Sequence, residues 1–89
     1  MEELIKSKQF KKFVEGLDRG CKLVSTEIID GQIHATCLAN SQNVILFKYI
    51  FYLNGNVRIV NGYNLYDIYK IEKLWNKFLS KCNISDFSL

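Results

Sequence analysis

Asp30-Gly31 stands between two runs of alternating side chains, residues 22–29 and 32–38. These two residue types tolerate the positive φ angles that a two-residue hairpin turn demands, so the dipeptide predicts a β-hairpin. The turn also fixes its register. Ile28 falls opposite Ile33, Thr26 opposite Ala35 and Val24 opposite Cys37 on one face. Glu27 falls opposite His34 and Ser25 opposite Thr36 on the other. One face is apolar and the other polar, so turn chemistry and side-chain pattern agree.

The rest of the chain extends this hairpin. Asn40-Ser41-Gln42 predicts a turn and residues 43–53 a strand. Its odd positions, Ile45, Phe47, Tyr49, Phe51 and Leu53, face the core. Its even positions include Val44, Leu46, Ile50 and Tyr52, more apolar than a solvated face requires. Asn54-Gly55-Asn56 then reverses the chain into a strand at 57–61. A two-residue turn would pair Phe51 with Arg58 and put a charge on the core face. A three-residue loop with Asn56 left-handed pairs Leu53 with Val57 and Phe51 with Ile59. A buried unpaired charge is the costlier fault, so the longer loop is expected.

Helical periodicity brackets the strands. Phe10, Phe13, Val14 and Leu17 form one stripe over about 7–18, with Ser7 suited to the N-cap and Gly20 to the stop. Leu4 and Ile5 are out of phase with it. Either the helix begins after Ser7, or an earlier turn packs elsewhere. Ile68, Ile71, Trp75, Phe78, Leu79 and Cys82 form a second stripe over about 63–81, with Asn61 or Asn64 as cap. The tail 83–89 carries Ile84, Phe87 and Leu89, suited to folding back or adding an edge strand. The expected architecture is one α+β domain over 1–89. Its order is α-β-β-β-β-α, a four-stranded antiparallel meander with both helices on one face.

Composition bounds what such a domain does. Eighty-nine residues at 48% hydrophobic suit a single core. No apolar run reaches the roughly 18–20 residues of a membrane span. Met1-Glu2-Glu3-Leu4-Ile5-Lys6 lacks a signal-peptide profile, so a cytoplasmic protein is expected. Cys21, Cys37 and Cys82 are odd in number and widely spaced, which suits reduced thiols. Residues with AT-rich codons dominate, as in low-GC bacteria and their phages.

Chemistry is sparse. His34 faces Glu27 across the hairpin, but Cys37 points to the opposite face and no other nucleophile is singled out. There is no Cys-x-x-Cys pair, no second histidine and no glycine-rich phosphate loop. The expectation is a non-enzyme without metal or cofactor. The element order loosely resembles the double-stranded-RNA-binding domain, which runs helix, three strands, helix. That family carries a lysine cluster at the start of its second helix. Here the stretch is Tyr63-Asn64-Leu65-Tyr66-Asp67, and a fourth strand is present, so the resemblance stops at topology.

Two surfaces remain. The outer sheet face gathers Val44, Leu46, Lys48, Ile50, Tyr52 and Arg58, an apolar patch edged by cations. The leading expectation is a protein-binding module using that face, toward a host protein or a second copy. For a phage or mobile-element gene, the natural role is inhibition of a host defence or replication protein. The alternative is nucleic-acid binding. Lys70, Lys73, Lys77 and Lys81 share one side of the last helix, and Lys8, Lys11 and Lys12 add to it if the helices are adjacent. Lysine rather than arginine suits backbone contact over base reading.

Overall fold

Ser7 divides the N-terminal segment into two helices. The computed structural model describes residues 2–17, 21–39, 45–61 and 68–82. In it, α1 spans Glu2–Ile5 and α2 spans Lys8–Glu15. The Ser7 hydroxyl accepts from the Phe10 amide at 3.1 Å and donates to the Leu4 carbonyl at 2.7 Å. One side chain thus caps the second helix and closes the first. Both alternatives for this segment are realised together, with Leu4 and Ile5 buried by the earlier turn. The helix ends at Glu15, three residues short of the expected end, and the amide of its C-cap Gly16 donates to the Lys12 and Phe13 carbonyls. Gly20 lies outside the described residues.

The strands are β1 (Lys22–Ile29), β2 (Gln32–Ala39), β3 (Ile45–Phe51) and β4 (Val57–Val60), followed by α3 (Ile68–Lys81). They form one antiparallel sheet in the order β1-β2-β3-β4. The expected α+β meander is therefore the observed fold, with α1 as an added element. Asp30 and Gly31 take φ angles of 53° and 75°, as the hairpin turn requires. Residues 62–67 and 83–89 lie outside the described residues, and with them the start of the last helix, the Asn64 cap and the tail.

Two register details differ from expectation. The first hairpin pairs as read from Ile28↔Ile33 to Ser25↔Thr36, but Cys37 then pairs with Leu23 instead of Val24. A β-bulge lies between Leu23 and Ser25, and Val24 is 56% exposed. Uninterrupted alternation would turn positions 28, 26, 24 and 22 inward and bury Lys22. The extra residue reverses the phase, so Leu23 and Cys21 pack inward and Lys22 reaches solvent.

The second difference is the β3–β4 connection. Phe51 pairs with Val57, not Ile59, and the loop is residues 52–56. The left-handed residue is Gly55, at φ 101°, not Asn56. Inside the loop, Tyr52 N donates to Asn56 O at 2.9 Å and Gly55 N to Tyr52 O at 3.0 Å. From outside, α3 grips it. The Trp75 indole N–H donates to Tyr52 O at 2.8 Å, the Asn76 amide to Gly55 O at 3.0 Å, and Val57 N–H donates to Glu72 Oε2 at 3.0 Å. Val57 and Ile59 still face inward and Arg58 outward, because a shift of two preserves the alternation.

The core occupies one side of the sheet. Ile33, Ala35, Cys37, Phe47, Tyr49, Phe51 and Val57 meet Leu4 and Ile5 of α1, Phe10 and Val14 of α2, and Ile71, Trp75 and Leu79 of α3. Aromatic rings join the layers. Phe51 and Trp75 centroids are 4.7 Å apart, and Phe13 stacks on Phe78 at 4.6 Å.

A test of the loop follows. At Gly31 an added Cβ meets open space, so Gly31→Ala carries only the left-handed backbone cost, roughly 1–2 kcal/mol. At Gly55 the Cβ also collides with the Asn76 carboxamide. Urea denaturation should rank Gly55→Ala below Gly31→Ala in stability. In an Asn76→Ala background the added cost of Gly55→Ala should fall toward the Gly31→Ala value.

Candidate functional site

Strand register assembles the outer face in rows. Glu27, His34, Ile50 and Arg58 form one row across all four strands; Ser25, Thr36, Lys48 and Val60 form the next; Lys22, Leu38 and Leu46 the third. Among the described residues no helix packs on this side, since α1, α2 and α3 all join the inner core. The expected interface residues are unequally available. Leu46 is 54% exposed and Arg58 is exposed, Lys48 and Tyr52 are half-buried, and Ile50 is 7% exposed. Val44 lies outside the described residues. Tyr52 also serves the fold through its carbonyl, which accepts the Trp75 N–H.

Glu27 and His34 pair in register as expected. No hydrogen bond joins them. Both His34 ring nitrogens are shielded from solvent without a partner, and Glu27 is exposed. The carboxylate therefore does not orient the imidazole in the way acid–base catalysis would use it. Among the described residues, no three His, Cys, Asp or Glu side chains converge as metal ligands.

The cysteines are thiols, Cys21 and Cys37 buried and Cys82 half-buried. The Cys37 thiol is pushed above its ordinary value of 9.0, first by its bond to the Cys21 thiol, then by burial, then by the nearby charges of Cys21 and Glu15. Burial also raises Cys82. A thiol held protonated is a poor nucleophile.

Lys8, Lys11 and Lys12 on α2 and Lys70, Lys73, Lys77 and Lys81 on α3 are all exposed. The helices are adjacent through the Phe13–Phe78 stack and the Phe10–Trp75 contact at 6.5 Å. Sequence reasoning missed a shallow, open groove along one side of α3, lined by Tyr69, Lys70, Glu72, Lys73 and Asn76. Tyr69 falls off the apolar stripe in helical phase, and that was the available signal. The walls of the groove depend on the loop contacts, which the sequence pattern does not reveal.

Comparison with known proteins finds no family model, curated protein or solved structure that matches this chain. No helix among the described residues is long and apolar enough to cross a membrane.

The thiols give a pH prediction. Folded Cys37 keeps its proton where an unfolded chain releases it, so the folded state binds more protons above about pH 9. Stability contributed by this group is intact below that pH and declines as pH rises through it. Denaturation curves between pH 7 and 10.5 should show a shallower alkaline loss for Cys37→Ala than for the parent chain.

Proposed function

We propose that this chain is a non-enzymatic protein-binding module whose outer sheet face docks on a partner protein bearing an apolar patch with an acidic rim. The observation that carries this reading is Leu46, more than half exposed, on the same helix-free face, among the described residues, as Lys48 and Arg58. Apolar area with arginine at its edge is the composition of an interface centre and rim. The same face carries Lys22, Lys48 and Arg58 against one acid, Glu27. Two copies meeting face to face would oppose like charges, so the reading favours a different, acidic partner over a homodimer.

Ile50 fits the same account. Its register neighbours are His34 and Arg58, and long basic side chains cover apolar positions with their stems. At 7% exposure Ile50 supports the face from beneath, while Leu46 offers the apolar contact. A 10.4 kDa domain acting this way works by occlusion. Inhibition of a host defence or replication protein is the form of that role suited to a phage or mobile-element gene.

The experiment is comparative capture. Tagged parent chain, Leu46→Asp/Arg58→Glu and Lys73→Glu are used as baits in native-host extract, and the captured protein is then purified and its binding titrated. A partner lost at least tenfold with the outer-face variant and kept with Lys73→Glu supports the reading. A partner bound equally by all three baits overturns it. So does a dimer in sedimentation runs that dissociates on Leu46→Asp.

A further inference from the structure

The groove on α3 lies on a surface distinct from the outer sheet face. Its walls are fixed from below. Asn76 donates its amide hydrogens to Gly55 O at 3.0 Å and to Glu72 O at 2.7 Å. Glu72, the acid of the groove, is engaged through Oε2 with Val57 N–H at 3.0 Å. On this framework stand Tyr69, 78% exposed, and the exposed Lys70 and Lys73. The depression is shallow and open to solvent, so a ligand there would lie along the helix with one side in water.

An exposed aromatic ring sharing this depression with two exposed lysines suits a planar base attached to a phosphate. The exit from the groove extends the match. Lys77 and Lys81 follow Lys73 at four-residue steps, about 6 Å each along the helix axis, comparable to the spacing of phosphates on an extended single strand. We infer that the Tyr69–Lys70–Lys73 groove seats one nucleotide of a single-stranded nucleic acid, its base on Tyr69 and its phosphate on Lys70 and Lys73, with the following phosphates on Lys77 and Lys81. A base stacks on Tyr69 whatever its identity, and lysine contacts phosphate without reading sequence, so recognition is of strandedness. Four phosphate contacts on a single strand give a log–log salt slope of roughly −3, or about fifty-fold weaker binding between 50 and 200 mM salt.

The test is fluorescence anisotropy with labelled 12-mer DNA and RNA of mixed sequence, their duplexes as competitors, and free nucleoside monophosphates and triphosphates. Single strands should bind more tightly than duplexes and follow the stated salt slope. Tyr69→Ala should weaken binding at least fivefold and Lys73→Glu at least tenfold, with circular dichroism unchanged because both side chains are exposed. Leu46→Asp on the outer face should leave binding intact. Absence of binding at 50 mM salt overturns the inference. So does binding indifferent to Tyr69→Ala, which would be charge attraction alone. A mononucleotide bound as tightly as the 12-mer overturns the strand path along Lys77 and Lys81. None of these results bears on the outer-face reading, which uses other residues.

Discussion

Burial of the Trp75 indole is the constraint on which the rest of the architecture turns. The side chain is fully buried, and its ring packs 4.7 Å from Phe51. A buried indole N–H left unpaired costs about 1–3 kcal/mol. Tyr52 O is the acceptor that removes that penalty. Tyr52 follows the last residue of β3, so satisfying the indole sets α3 over the end of the β3–β4 hairpin. Glu72 and Asn76, three residues before and one after Trp75, then reach the same loop. Helix position, loop length and the walls of the groove are thus one arrangement.

Carboxylates from the helices also treat the sheet edges. Glu15 of α2 accepts the Leu23 N–H at 2.9 Å near the start of β1, and Glu72 of α3 accepts the Val57 N–H at the start of β4. These are the two outer strands of the sheet, where unpaired amides invite pairing with another chain. The Val24 bulge and the outward Lys22 further interrupt β1. One backbone amide on each outer strand is thus satisfied within the chain.

What the sequence made legible and what it hid follow from this division. Side-chain alternation identified the inner positions Ile33, Ala35, Cys37, Phe47, Tyr49, Phe51, Val57 and Ile59, because burial has a period of two. It could not choose between Phe51↔Val57 and Phe51↔Ile59, since both keep those residues inward. That choice rests on Glu72, Trp75 and Asn76, 15 to 23 residues away from the groups they bond. The Val24 bulge was within reach, because strict alternation drove Lys22 inward, a conflict that only an extra residue resolves. Among the candidate sites, the seven lysines were placed correctly on exposed surface by helical phase. Exposure on the outer sheet face was less legible. Ile50 and Leu46 have the same parity and similar chemistry, yet one is covered and the other open, and the cover depends on neighbours in two other strands.

The modest net charge of +3 hides an uneven distribution. Charge averaged over a chain says little when the fold sorts it. Glu15 and Glu72 are committed to backbone amides, so two of the nine acids serve the sheet edges. The lysines of α2 and α3 remain at the surface of the helical layer, while Lys22, Lys48 and Arg58 populate the outer sheet face. Each side of the domain carries its own set of cations, and each pairs them with a different uncharged feature, Tyr69 on one side and Leu46 on the other. An aromatic ring among lysines favours a stacked base and its phosphate. An aliphatic side chain exposed on a sheet face that also carries arginine favours a protein surface. The distinction between the two surfaces rests on those neighbours, because the cations alone would attract either ligand.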